Sequence, residues 1–145
     1  MRTIALRFSD NFAPNCGTIN AHKKIIEEKG YVWYGKLGSA VSKKVIDEIL
    51  QNEYSKVLLI HSGKTYRYWA FIKEIQHSTP EINAIPEYYR EISGRFNTWF
   101  KVVKFEEAPK NVLSNCIVSS SKRPLSEVSK CSMSPYFIID VEDLL

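Results

Sequence analysis

Apolar and polar positions along the chain follow two periods, and the segments with a period of two predict β-strands. The clearest alternation is in Thr65–Ile75, with Tyr68 and Ala70 on one face and Trp69 on the other. Lys56–His61 is almost continuously apolar, which indicates a central strand buried on both faces. Further strands are predicted at Thr3–Phe8, Tyr31–Gly35, Thr98–Phe105 and Pro135–Ile139.

Two segments with helical periodicity alternate with the first strands. Thr18 is expected to cap the first helix and Gly30 to end it, since glycine favours the left-handed conformation there; Ser42 is expected to cap the second. Their buried faces are predicted to hold Ile19, His22, Ile25 and Ile26 in the first helix, and Val45, Ile46, Ile49 and Leu50 in the second. Shorter helical segments are predicted at Glu87–Glu91, Asn111–Asn115 and Leu125–Ser129.

The order of elements is therefore β-α-β-α-β-β, followed by a β-rich region. A tight turn at Ser62-Gly63-Lys64 predicts a hairpin, and hence a mixed sheet. We expect an α/β (α+β) domain with a curled mixed sheet, or a partial barrel, of five or six strands flanked by helices.

Composition narrows the class of protein. A chain of 145 residues suits one domain, and a net charge of +4 is too small to indicate nucleic acid by itself. Three cysteines, Cys16, Cys116 and Cys131, have no zinc-site spacing, and an odd number argues against a disulfide framework. No signal peptide is recognisable, and no apolar run reaches the roughly 20 residues that span a bilayer. These features predict a cytoplasmic protein.

The chain contains no recognisable catalytic motif. The GxSxG, HExxH and P-loop patterns are absent, and no cysteine–histidine pair suggests a nucleophile. We therefore expect no enzyme, no metal and no cofactor. The apolar ending at Leu144-Leu145 suggests that residues 1–145 are one domain excised from a longer polypeptide.

Three stretches in sequence order resemble the YTH branch of the PUA-like superfamily, which also includes the EVE domains. They are Lys29–Trp33 after the first strand and helix, Val57–Lys64 leading into the next strand, and Phe100–Phe105 before Pro109. Gly30–Lys36 is also similar to a segment of EVE-like domains at the N-terminus of McrB-type restriction GTPases.

The resemblance implies a PUA-like fold and a non-catalytic reader of a modified base. It favours N6-methyladenine in double-stranded DNA, with the base flipped into an aromatic cage and a GTPase, AAA+ motor or nuclease region in the same polypeptide. Such a domain would be the specificity module of a modification-dependent restriction system. Two alternatives stay open: binding of a modified base in RNA, and a protein–protein adaptor that uses exposed aromatic side chains.

Candidate site residues follow from the chemistry that a base pocket needs. Stacking requires aromatic rings, base edges require short polar groups, and the backbone requires cations. The cage candidates are Trp33, expected at an accessible strand edge, and Tyr34, Phe96 and Trp99. Where YTH proteins place a second cage tryptophan, this chain has Tyr88, Tyr89 and Phe96. The base-edge candidates are Ser9, Asp10, Asn11 and Ser62, the first three because the resembled family places base contacts after its first strand. The phosphate candidates are Lys36, Lys64, Arg67, Lys122 and Arg123, the last two because the resemblance implies a basic residue in their loop.

Each candidate also suits a structural role. Trp33 also suits a buried position in the core, and Ser9, Asp10 and Asn11 are typical of a turn or a helix cap. Any of the lysines is typical of a solvated face.

Overall fold

A computed structural model describes residues 1–11, 13–132 and 134–142, so the last three residues of the expected domain lie outside it. The strands are β1 (Arg2–Phe8), β2 (Val32–Lys36), β3 (Lys56–His61), β4 (Arg67–Gln76), β5 (Thr98–Glu107), β6 (Cys116–Val118) and β7 (Tyr136–Val141). They form one sheet in the order β2-β5-β4-β3-β1-β7-β6. β1 and β3 are parallel and the other neighbours are antiparallel, so the sheet is mixed, as predicted.

Within residues 1–11, 13–132 and 134–142, three α-helices and three 3₁₀-helices connect the strands. They are α1 (Thr18–Lys29), α2 (Lys43–Leu50), α3 (Leu125–Cys131) and the 3₁₀-helices Ile82–Ala84, Glu87–Arg95 and Val112–Asn115. α1 ends as predicted, because Gly30 has a φ of 85° and its N–H donates to the Ile26 carbonyl. α2 begins as predicted, because the Ser42 hydroxyl accepts a hydrogen bond from the Val45 N–H at 3.3 Å.

Two buried clusters lie on opposite faces of the sheet. α1 and α2 cover one face, where Leu6, Leu59 and Phe100 are buried against Ile19 and Ile49. α3 and the 3₁₀-helix Val112–Asn115 cover the other face, which includes Leu58, Trp69 and Phe137. The alternation of Leu58 and Leu59 between the two clusters explains why β3 is apolar along its whole length.

A third cluster covers the outer side of β2 and β5. The segment of 3₁₀-helices between β4 and β5 packs there, with Ile85 and Tyr89 against Trp33 and Trp99. The sheet also curls. β2 is at one edge and β7 is next to the strand at the other edge, yet the Lys36 ammonium of β2 lies 4.7 Å from the centre of the Tyr136 ring in β7. The predicted curled sheet is therefore confirmed.

Three details of the predicted fold are wrong. The sheet has seven strands rather than five or six, because the three-residue β6 is too short to show an alternating pattern. Leu50 is 37% exposed, since it lies at the last turn of α2, beyond the sheet. Thr18 is the first residue of α1 and not its cap. The side chain that caps the helix is that of Asp10, as described below. In the described ranges, no helix combines the length and apolarity that crossing a membrane requires.

Candidate nucleic-acid interface

A cavity of about 220 Å³ opens where the C-terminal parts of β1 and β2 face each other across the curled sheet. Five aromatic residues form much of its lining, and we call it the aromatic cavity: Phe8, Tyr34, Tyr88, Tyr89 and Phe96. Its volume is below the roughly 300–1,000 Å³ of clefts for drug-sized ligands, so it suits a group the size of one ring system.

The rings of the wall hold one another in place. Phe96 lies against the backbone of Gly35, so closely that a Cβ at Gly35 would be 2.7 Å from the Phe96 Cγ. The Phe96 ring centre lies 4.8 Å from that of Tyr89, which in turn lies 4.6 Å from that of Tyr88. Offset and edge-on contacts at these distances stabilise aromatic pairs, so the wall is preformed.

A buried histidine supports the tyrosines from behind. His22 of α1 is fully buried, and its ring centre lies 5.1 Å from those of both Tyr34 and Tyr89. Its Nδ1 lies 2.8 Å from the Thr18 carbonyl, so Nδ1 carries the proton and Nε2 is a lone-pair acceptor. Nε2 has no hydrogen-bond partner among the described residues.

Burial keeps the tyrosines of the aromatic cavity, and His22 behind them, uncharged at neutral pH. It lowers the pKa of His22 to about 4, and it raises the pKa of the Tyr34, Tyr88 and Tyr89 hydroxyls. An uncharged aromatic wall suits the flat face of a neutral base better than it suits an ion.

Lys36 supplies a cation to this wall. The residue is only 6% exposed, and its ammonium donates to the carbonyls of Leu37 at 3.0 Å and Ser39 at 2.6 Å. Burial lowers the pKa of Lys36. An ammonium has three N–H donors, and these two carbonyls occupy two of them.

Two of the predicted cage residues lie elsewhere. Trp33 is 3% exposed and Trp99 is fully buried, and both pack in the third cluster rather than lining the aromatic cavity. The expectation that Trp33 is accessible at a strand edge is wrong. β2 is an edge strand, but the 3₁₀-helical segment covers its outer face, to which Trp33 points. Tyr34 and Phe96, the other two candidates, do line the cavity.

The base-edge candidates divide in the same way. Ser9 lines the aromatic cavity, whereas Asn11 is exposed on a turn. Ser62 is exposed, and its backbone N–H donates to the Phe8 carbonyl at 2.8 Å. The structure therefore brings only Ser9 of these candidates to the cavity wall.

Asp10 caps α1 and anchors a histidine. Its Oδ1 accepts from the Thr18 N–H at 3.0 Å, and its Oδ2 accepts from the His61 Nε2 at 2.9 Å. Burial alone would raise the pKa of Asp10, but the hydrogen bonds from Thr18 and His61 outweigh it and hold the pKa below its usual value. The carboxylate is thus already engaged, which corrects its expected role at a base edge.

The phosphate candidates fall into three groups. Lys36 lines the aromatic cavity, and Lys64 and Arg67 line a second cavity of about 350 Å³. Lys122 and Arg123 lie on a separate turn, where Arg123 pairs with Glu127 at 3.2 Å. The five candidates therefore do not form one continuous site.

Sequence reasoning missed several residues at the two cavities. Tyr88 and Tyr89 follow a proline in a segment without strand periodicity, so their shared position with Phe96 depends on the 3₁₀-helix. The resemblance to YTH proteins drew attention to this segment, but Tyr88 and Tyr89 are not among the predicted cage residues. Arg7 lines both cavities, but in the sequence it is simply the polar position of an alternating strand.

Comparison with known protein families gives a match over nearly the whole chain. A family model described as Pua-like matches residues 4–144. No curated protein and no solved structure gives a significant match.

Proposed function

We propose a function that starts from the family, since the chain belongs to the PUA-like family. In this proposal the protein is a non-catalytic reader that holds one modified base of a nucleic acid in the aromatic cavity. PUA-like domains are generally binding domains for nucleic acids, which supports a nucleic-acid partner. The finer proposal is methylated double-stranded DNA, with N6-methyladenine favoured, read as the specificity module of a modification-dependent restriction system.

The observation that carries the proposal is an open cavity lined by five aromatic residues, with the cations of Arg7 and Lys36 also in its lining. A base inside a duplex must leave the stack to be read, which costs a few kcal/mol. Stacking on an aromatic ring returns about 1–3 kcal/mol per base, so a single well-placed ring offsets much of that cost. A preformed wall adds no ordering cost at the moment of binding.

The same cavity offers groups for the edge of a base and for a methyl group. The ammonium of Lys36 and the hydroxyl of Ser9 suit acceptors on a purine edge, and Leu37 and Ile92 add apolar surface. Burial of one methyl group contributes about 0.8 kcal/mol, or roughly fourfold in affinity. A larger preference requires that the unmodified amine lose hydrogen bonds to water when it enters the cavity.

The test is the affinity of the protein for three oligonucleotides of one sequence, measured by fluorescence anisotropy. They are duplex DNA with one N6-methyladenine, the same duplex without the methyl group, and the methylated RNA. We expect the tightest binding to the methylated duplex. Tighter binding to the RNA would instead favour the RNA alternative, and no binding to any of them would favour the adaptor.

A variant pair ties the binding to the aromatic cavity. Tyr88 is half-buried in the wall, whereas Tyr54 is 70% exposed and away from it. Tyr88→Ala should weaken binding of the methylated duplex by roughly 5- to 150-fold, the equivalent of one lost stacking contact. Tyr54→Ala should leave the affinity unchanged. Equal affinities of the two variants would refute the assignment of the cavity.

A further inference from the structure

The second cavity is lined by five cationic side chains that come from separate parts of the chain. Arg7 lies on β1, Arg67 on β4, and Lys130 on α3, while Lys64 and Lys110 lie in connecting segments. No aspartate or glutamate is among the described residues of its lining. We call this concavity the basic cavity.

The cations of the basic cavity are not neutralised within the described part of the chain. Lys64, Lys110 and Lys130 take part in none of its ion pairs. At the lining itself, the Nε2 of His61 lies 2.9 Å from the Asp10 carboxylate. Like charges that are gathered without counterions repel one another, and an anion removes that repulsion.

Both arginines have donors to spare. The Nε of Arg67 is shielded from solvent and has no hydrogen-bond partner in the described chain. Arg7 uses Nε and Nη2 on the carbonyls of Ser134, Ser129 and Ser132, at 2.7–3.1 Å, and the described contacts leave its Nη1 without a partner. These carbonyl contacts fix the guanidinium in place, so its remaining donors point in a set direction.

We propose that the basic cavity binds a phosphate group. Guanidinium groups match the geometry of phosphate oxygens, and the hydroxyls of Ser114, Ser126 and Ser129 line the same cavity as further donors. Because Arg7 lines both cavities, a strand whose base enters the aromatic cavity brings its backbone past the basic one. The phosphate is then a phosphodiester of that strand, and this assignment rests on the proposed function.

The experiment compares two double variants with the same change in charge. Lys110→Gln/Lys130→Gln removes two exposed cations of the basic cavity, and Lys43→Gln/Lys44→Gln removes two exposed cations of α2. The affinity of each for an unmethylated duplex is measured across a series of salt concentrations. We expect the slope of log affinity against log salt to fall by about 0.9 per lost phosphate contact in the first variant and little in the second. Equal slopes for the two variants would overturn the proposal.

Two further measurements test whether the site binds phosphate and whether that phosphate is terminal or part of the strand. Inorganic phosphate should shift the backbone amide signals of Ser126 and Ser129 in NMR spectra of the wild-type protein, but not in the Lys110→Gln/Lys130→Gln variant. If a 5′-phosphorylated oligonucleotide binds much more tightly than its 5′-hydroxyl counterpart, the site takes a terminal phosphate, and the phosphodiester assignment is wrong. The salt dependence is measured with unmethylated DNA, so it does not depend on recognition of the methyl group. If the methylated duplex were not preferred, the base reader would be refuted, but the phosphate site would not.

Discussion

Gly35→Ala is the sharpest perturbation of the aromatic cavity that the structure offers. An added Cβ would lie 2.7 Å from the Phe96 Cγ and 2.9 Å from its Cδ1, well inside ordinary van der Waals contact. Phe96 cannot simply retreat, because its ring centre is 4.8 Å from that of Tyr89 and 5.1 Å from that of Trp99. Overpacking of this kind costs about 1–3 kcal/mol of the free energy of unfolding.

The chain provides a matched control for this change. A Cβ added at Gly94 would have no heavy atom within 4 Å, and Gly94 has no positive φ, so Gly94→Ala adds the same methyl group to open space. We expect Gly94→Ala to be neutral, or to stabilise by about 0.4–1 kcal/mol through the unfolded chain. Urea denaturation gives both free energies of unfolding, with the slope m as a check that the transition stays comparable.

The functional consequence follows from the position of Phe96 in the cavity wall. When the ring is displaced, it narrows or tilts the surface on which a base would stack, so Gly35→Ala should also weaken oligonucleotide binding. Gly94→Ala should bind as the wild type does. If Gly35→Ala were as stable as Gly94→Ala and bound with the same affinity, the close packing of Phe96 on Gly35 and its link to binding would both be disproved.

Other predictions concern single buried or capping groups. His22 has a folded-state pKa of about 4 against 6.5 when unfolded, so stability is complete above pH 6.5 and falls by about 1.4 kcal/mol per pH unit down to pH 4; His22→Asn should flatten that part of the stability–pH curve. Asp10→Ala should cost about 1–2 kcal/mol in urea denaturation, because it removes the cap of α1 and the partner of His61. Burial raises the pKa of the Cys116 thiol to about 11, so at pH 8 a thiol reagent should modify exposed Cys131 quickly and Cys116 only after unfolding.

The elements that local chemistry determines could be predicted from the sequence. β3 was recognisable because Val57, Leu58, Leu59 and Ile60 are all buried, two on each face of the sheet. Gly30 ends α1 because the position needs a positive φ, which glycine adopts without strain. In both cases the deciding interactions are short-range or concern a single strand, so the pattern alone is sufficient.

The site was only partly predictable, because its geometry depends on contacts between distant segments. Trp33 and Tyr34 are neighbours on β2, and which of them meets the cavity depends on what covers each face of the strand. The cover on the Trp33 side comes from the distant segment between β4 and β5, whose 3₁₀-helices have no periodicity to read. Likewise, the side chain that caps α1 comes from Asp10, eight residues before Thr18, rather than from the adjacent Thr18 hydroxyl.

The same long-range capping joins the two cavities. Because the Nδ1 of His61 accepts from the backbone N–H groups of Gly63 and Lys64, both at 3.0 Å, its proton is on Nε2 and is donated to Asp10. Asp10 in turn holds the start of α1, the helix that places His22 behind the tyrosines of the aromatic cavity. One continuous set of hydrogen bonds thus runs from that helix to the turn that carries Lys64 into the basic cavity. A base and a phosphate of one strand would therefore be bound at a separation that the folded chain sets in advance, which lowers the ordering cost of binding both.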